Sequence, residues 1–228
     1  MTSLISFLSL NVGGSTNLAG LNMTLNLMSF DVIFVQEIKS SQLQLDALVQ
    51  KLGFSSLVNI DTNDSEKPGT ALIWKNSIPL TGAVNLVSCR LQMAEIMNYR
   101  IFNCYAPSCS GNKFARNQFY GEIVFKYLRS FSGSINLLAG DHNSVLRRED
   151  VEDGFGFSRK FCESLNSLVK CEHLVDCFLH LKRPLSFNFR RPGKAKSRLD
   201  RFYISEEVSN EIVSIDHLPS VSDHLGVR

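Results

Sequence analysis

Apolar runs of strand length, each bordered by carboxylates or amides, constrain this chain more than any other feature. They are "LSLNV" with Asn11, "VIFVQE" with Gln36 and Glu37, "LLAGDHN" with Asp141 and Asn143, and "RLDRFYI" with Asp200. "DVIFVQE" (31–37) is unbroken until its charge, the pattern of a strand buried on both faces. "LISFLSLNV" (4–12) alternates instead. Helical periods lie between: 17–28, 40–53 with Ser and Gly as caps, 113–131 and 158–169. In 113–131, Phe114, Phe119, Ile123, Tyr127 and Leu128 fall on one helical face. Further strands are expected at "SSLVNI", "TALIWK", "AVNLVSCRLQ", "AEIMNYRIFNCYAP", 186–190, 198–204 and 211–216. With no linker and no evident repeat, residues 1–228 read as one α/β domain, two packed sheets covered by helices.

Composition narrows the class. The 44% hydrophobic and 20% charged content suits a soluble globular protein. No run reaches the roughly eighteen apolar residues of a membrane helix, and "MTSLISFLSLNVGG" lacks the basic start and cleavage site of a signal peptide. The six cysteines are scattered without a CxxC pair, and Cys171-x-His173-x₃-Cys177 fits no standard zinc spacing, so reduced thiols of a cytosolic or nuclear protein are expected. The net charge of +2 says little, but Lys182 to Arg201 holds eight basic residues and one acidic one. That stretch is either a solvated loop or, because Phe187 and Phe189 alternate within it, a hairpin with a basic rim of the kind that binds nucleic acid.

The polar residues at the strand ends suit phosphodiester cleavage. In α/β sheets ligands bind beyond strand ends, although a terminal Asp or Asn often only caps a turn. Tyr105 in "NCYAPS" and the "SDH" of 222–224 extend the set to six places. The reaction needs a group to deprotonate or orient water, charge neutralisation at the phosphate, and donors for the pentacovalent intermediate. Asp141 and Asn143 are two apart, so an extended backbone would point both to one face. Glu37 offers the hard oxygen that Mg²⁺ prefers, and Asn11 would support that metal directly or through water. His224 follows Asp223, but neighbours in an extended segment face opposite ways, so Asp200 is the expected partner of His224. Such a pair favours the imidazolium. His142, His173, His180 and His217 read as structural or surface residues.

These motifs, in this order over residues 11–224, resemble the metal-dependent endonuclease/exonuclease/phosphatase superfamily: "LNV", "QE", "YAPS", "GDHN", "SRLD" and "SDH". The resemblance implies a DNase I-like four-layer α/β/β/α sandwich of two mixed sheets flanked by helices. It implies Glu37 on Mg²⁺ (or Mn²⁺) with Asn11 nearby, Tyr105 and Asn143 on the scissile phosphate, and Asp141 on the attacking water. It also pairs His224 with Asp200 and sets Asp223 near the metal or its waters. The minimal length, "FNFRRPGKAKSRLDRFYIS" and the early "LNVGG" look most like the apurinic-like endonuclease domain of non-LTR (LINE-type) retrotransposons. Such a domain nicks double-stranded DNA and leaves a 3′-hydroxyl for a downstream reverse transcriptase. A nuclear site of action, a monomeric isolated domain and a longer polyprotein beyond residue 228 follow as expectations. Arg190, Arg191, Lys194 and Lys196 are expected to contact DNA, with Asn188 and Ser222 in the same substrate-binding set. "GDHN" departs from the usual "GDFN", and Asn188 from a common Thr, while "LNVGGSTN" lacks a frequent basic residue. An apurinic/apyrimidinic repair endonuclease of the same fold, or an inactive nucleic-acid-binding module, are the alternatives.

Overall fold

The structure, a computed structural model, describes residues 4–14, 18–27, 29–64, 66–108, 113–130, 135–154, 156–184, 186–190, 192–220 and 222–228; Arg191 and Cys109 lie outside them. The first half runs β1 (Phe7–Asn11), α1 (Ala19–Leu27), β2 (Val32–Ile38), α2 (Gln42–Val49), β3 (Phe54–Asn59), β4 (Gly69–Lys75), β5 (Leu80–Val87), β6 (Leu91–Ile96) and β7 (Tyr99–Tyr105). Then come α3 (Lys113–Gln118), a π-helical turn (Phe119–Val124), α4 (Phe125–Arg129), β8 (Ile135–Asp141), α5 (Phe157–Lys160), α6 (Glu163–Cys171) and β9 (Leu174–Asp176). The chain closes with α7 (Cys177–His180), β10 (Asp200–Ser205), β11 (His217–Leu218) and β12 (Gly226–Val227).

Two mixed six-stranded sheets result, ordered β11-β12-β1-β2-β4-β3 and β5-β6-β7-β8-β10-β9. β1 and β2 are parallel, as are β7 and β8. The period-two geometry of β2 explains its unbroken apolar run. Val32 and Phe34 enter the core between the sheets with Ile96, Ile101, Leu137 and Phe202. Ile33 and Val35 face the other way, against Leu21, Leu25, Leu45 and Val49 of α1 and α2. All four are fully buried, each contributing roughly 2 kcal/mol of hydrophobic stabilisation. A third cluster joins Phe102, Cys104 and Leu138 of the second sheet to Phe119, Tyr120, Val124, Leu128, Leu165 and Leu168 outside it. The expected sandwich of two mixed sheets flanked by helices is what the chain forms. Among the described residues no helix is long and apolar enough to cross a membrane.

Several local expectations are corrected. The strand expected in "AVNLVSCRLQ" breaks at Ser88–Arg90, where Cys89 has φ 61°, and "AEIMNYRIFNCYAP" breaks at Met97, with φ 55°. Apolar content is unbroken across both turns, so periodicity could not reveal them. In 113–130 the π-turn adds a residue to the helical repeat. The buried face becomes Phe119, Tyr120, Val124 and Leu128, and Phe114 stands exposed. The helix expected over 158–169 is two, separated at Phe161–Cys162. Residues 186–190 form only isolated bridges, from Phe189 to Ser197 and from Phe189 to His224, and 211–216 form no strand. The described cysteines are free, with Cys171 exposed and the others buried.

Candidate active site

Strand register assembles the site. Tyr105 pairs with Asp141 across β7 and β8, and Asp141 with Asp200 across β8 and β10, so three strand ends lie in one row. Before Asp141, Gly140 has φ 134°, and a Cβ there would sit 1.9 Å from the Cys104 carbonyl oxygen. Only glycine lets the two strands close up at that point. In the other sheet Asn11 ends β1 beside Gln36 of β2, while β12 pairs with β1 and returns residues 222–225 to the same edge.

Glu37 reaches the site through a bulge. Its φ is 58°, and the pairing of β2 with β4 shifts register between Gln36 and Ile38. Such a bulge re-aims one side chain out of the alternation. Glu37 Oε1 accepts from Asn11 Nδ2 at 3.1 Å and from the Tyr105 hydroxyl at 3.1 Å. Asn11 Nδ2 also donates to Asp141 Oδ2 at 3.0 Å, and its Oδ1 accepts from the Gly13 N–H at 2.9 Å. Asn11 therefore bridges two carboxylates as a donor, with its oxygen engaged by the Gly13 N–H. Gln36, its neighbour in register, is buried and donates to Asn103 Oδ1 at 2.8 Å between the sheets.

Asn143 meets Asp141 for a different reason than expected. The backbone is not extended: Asn143 has φ 46°, and its N–H donates to Asp141 Oδ1 at 2.9 Å, closing a turn on the side chain. Its Nδ2 donates to the Ala106 carbonyl at 2.9 Å. At the chain's far end, His224 Nδ1 lies 2.8 Å from Asp200 Oδ2, which places the proton on Nδ1. Its Nε2 lies 4.0 Å from Asp141 and 3.9 Å from Asp223, because residues 222–223 bend and bring the adjacent carboxylate round.

Charge is unbalanced here. Asp200, Asp141 and Asp223 face one imidazole, and the Glu37 charge acts on Asp141. Burial, then the Asp200 charge, push Asp141 up to about 7 against the opposing pull of His224. Burial would lower His224, but the charge and hydrogen bond of Asp200, with Asp141 and Asp223 behind it, raise it to about 10. Oxygen donors in negative excess fit a hard divalent ion such as Mg²⁺ or Mn²⁺. Ligand atoms of Asp141, Asp200 and His224 lie within 4.8 Å of one another. The protonated Nδ1 held by Asp200 makes that trio a proton-bearing pair rather than an imidazole-ligated metal site. Glu37 adds a carboxylate joined to Asp141 through the Asn11 amide.

The expected substrate set divides. Arg190, Lys194 and Lys196 are exposed on the loop closed by the Phe189–Ser197 bridge, with Lys196 paired to Glu152 at 2.6 Å. Arg191 lies outside the described residues. Asn188 is fully buried, donates to the Asp200 carbonyl at 2.6 Å and accepts from the Leu199 and Asp200 N–H groups at 2.8 and 3.2 Å. It cannot meet DNA; it braces Asp200. Ser222 donates to the Asn11 carbonyl at 2.6 Å and accepts from the His224 N–H at 3.1 Å, so it braces the site's two ends. The basic run is also not all rim, since Arg198 and Arg201 are buried. Arg198 pairs with Asp150 at 2.9 Å and Asp176 at 2.7 Å, and Arg201 with Asp150 at 3.0 Å.

His142 points into the core, where its Nδ1 meets the Tyr120 hydroxyl at 2.9 Å and its ring packs on Tyr120 and Tyr203. Burial, then the Arg201 charge, hold it down at about 3, so the ring is neutral. Two contributors carry no sequence signal. Arg90 stacks 4.5 Å over the Tyr105 ring and donates to the Tyr105 and Ala106 carbonyls at 3.4 Å, from within an apparent strand. Asp150, in "LRRED", resembles a surface charge run yet is wholly enclosed.

Comparison with known proteins agrees with this geometry. The profile of the Endonuclease/Exonuclease/phosphatase family matches residues 8–224. No curated protein sequence matches the chain. Among solved structures, an AP endonuclease from Archaeoglobus fulgidus superposes with a TM-score of 0.80 at 18% identity, covering 98% of each chain. A 3′-5′ exonuclease from Neisseria meningitidis gives 0.81 at 18%, again covering 98% of each. The AP endonuclease of Leishmania major gives 0.75 at 18%, covering 98% of this chain and 86% of its own.

Proposed function

The chain belongs to the Endonuclease/Exonuclease/phosphatase family, and on that premise we propose that it is a metal-dependent endonuclease that nicks double-stranded DNA and leaves a 3′-hydroxyl. The observation that carries this is the row Tyr105–Asp141–Asp200, completed by His224 at 2.8 Å from Asp200. At neutral pH the His224 imidazolium has Nε2–H free to donate to a phosphate oxygen. Asp141, held by the Asn11 amide and the Asn143 N–H and 4.0 Å from His224 Nε2, is placed to orient the attacking water or take a proton from it. Tyr105, held by Glu37, and the second Asn143 amide hydrogen orient the phosphate. A divalent ion at Glu37, with Asp223 and Asp141, would neutralise charge on the scissile phosphate; members of this family generally use one.

The finer reading is a LINE-type retrotransposon endonuclease, whose nick in nuclear DNA primes a reverse transcriptase elsewhere in the protein. Its support is the basic loop of "FNFRRPGKAKSRLD", anchored beside the site. The Arg190 N–H donates to the Asp223 carbonyl at 2.8 Å and the Leu225 N–H to that of Asn188 at 2.7 Å, so the loop is tied to the segment that carries His224. The likeness to two AP endonucleases favours a second reading, cleavage at abasic sites.

Nicking of supercoiled plasmid with Mg²⁺ tests the activity. Wild type should convert it to open circles, and Glu37→Ala and His224→Ala should not; undiminished nicking by either variant overturns the site. End-mapping on intact and abasic duplexes separates the two readings. A preference for the abasic duplex by orders of magnitude would select the repair enzyme.

A further inference from the structure

Lys160 belongs to none of the motifs, yet it meets the same phenylalanine ring, Phe189, as His224. It ends α5, and its carbonyl accepts from the Val145 N–H at 3.0 Å, which ties it to the loop just past Asn143. Its Nζ donates to the buried Ser197 hydroxyl at 2.9 Å and lies 5.5 Å from the centroid of the Phe189 ring. The same ring meets the His224 imidazole edge-on, with centroids 5.0 Å apart. Phe189 thus contacts both the Lys160 ammonium and the His224 imidazole.

No carboxylate lies within ion-pair distance of Lys160 among the described residues. Burial first, then the like charge of Arg159, lower its pKa. A half-buried ammonium with hydroxyl and ring neighbours but no counter-ion is unfavourable until an anion arrives. Lysine binds phosphate as a compact point charge, needing no bidentate geometry.

We propose that Lys160, which shares the Phe189 ring with His224, binds a backbone phosphate of duplex DNA near the scissile one. The inference rests on the endonuclease reading and adds to it a contact outside the basic loop. Each neutralised phosphate contributes about 0.9 to the slope of log affinity against log salt for duplex DNA.

The test measures anisotropy of a fluorescein-labelled duplex oligonucleotide over a salt series in EDTA, with the intact wild-type chain, Lys160→Met, Lys160→Arg and Ser197→Ala. Lys160→Met should bind roughly 3- to 10-fold more weakly with a salt slope smaller by about one. Lys160→Arg should keep the slope, and so should Ser197→Ala. A wild-type slope in a Lys160→Met protein with unchanged circular dichroism overturns the proposal. So does a Ser197→Ala slope reduced as much as that of Lys160→Met, because Lys160 would then act only by bracing the hairpin. Failure of the wild-type chain to bind or nick DNA strikes the endonuclease reading itself, a distinct outcome.

Discussion

Two buried charge clusters lie side by side in this protein and are built from similar residues with opposite balance. Asp150, Asp176, Arg198 and Arg201 form a closed quartet of two acids and two bases, every pair within 3.5 Å except those of like charge. Burial would raise Asp150, but Arg201 and Arg198 hold it below the ordinary carboxylate range. The quartet locks the loop after Asn143 to β10, since Asp150 also accepts from the Leu146 and Arg147 N–H groups at 3.1 and 3.0 Å. The neighbouring active site sets three carboxylates against the His224 imidazolium, with Glu37 and Arg90 alongside, and there burial and the Asp200 charge push Asp141 the other way. Balance makes a structural cluster; surplus charge of one sign makes a site that awaits a cation and a phosphate.

The largest test of that contrast is Asp150→Ala. It leaves two buried guanidiniums short of an anion and should cost about 3–5 kcal/mol, read as a lowered urea midpoint. Asp141→Asn should do the reverse. Nicking should fall by at least about 100-fold, while stability at pH 8 holds or rises by about 1 kcal/mol as carboxylate crowding is relieved. A loss of stability equal to that of Asp150→Ala would erase the distinction between the clusters.

His142 gives an intermediate effect through pH. Its folded pKa, about 3, lies below the ordinary value of 6.5, so the unfolded chain binds the extra proton first. Its contribution is present above pH 6.5 and lost as pH falls through the window towards 3, by about 1.4 kcal/mol per pH unit. His142→Phe should flatten the acid limb of a stability–pH curve; an unchanged limb would assign acid sensitivity elsewhere. The smallest effect is expected at the rim. Lys196→Gln breaks only an exposed pair with Glu152 and should change stability by less than about 0.5 kcal/mol, while reducing the salt slope of DNA binding by about one.

The site was legible where chemistry and strand ends coincide. Asp141, Asn143, Asp200 and His224 could be picked out because polar residues at the ends of apolar runs stand out against the pattern. Even there the geometry differed, since Asn143 joins Asp141 through a positive-φ turn. Asn188 misled because a polar residue between two phenylalanines in a basic stretch looks solvent-facing. Its three hydrogen bonds to the 199–200 backbone exist only once the 188–190 segment folds onto β10. Arg198 and Arg201 misled for the same reason: sign and spacing along the chain carry no information about a partner such as Asp150, 48 and 51 residues away.

The sequence by itself determined the two-sheet architecture, because hydrophobic periodicity is a local property that each strand and helix satisfies alone. It also determined the set of chemical groups at the strand ends. Tertiary structure decided which charges are spent in pairs and which remain available. It turned Glu37 inward through a bulge, set His224 on Asp200, closed the arginine–aspartate quartet, and left Lys160 beside Phe189 with no carboxylate at ion-pair distance among the described residues. Each outcome depends on distance and burial between segments remote in sequence, and a charge acquires its role only when its neighbours and its exposure to water are fixed.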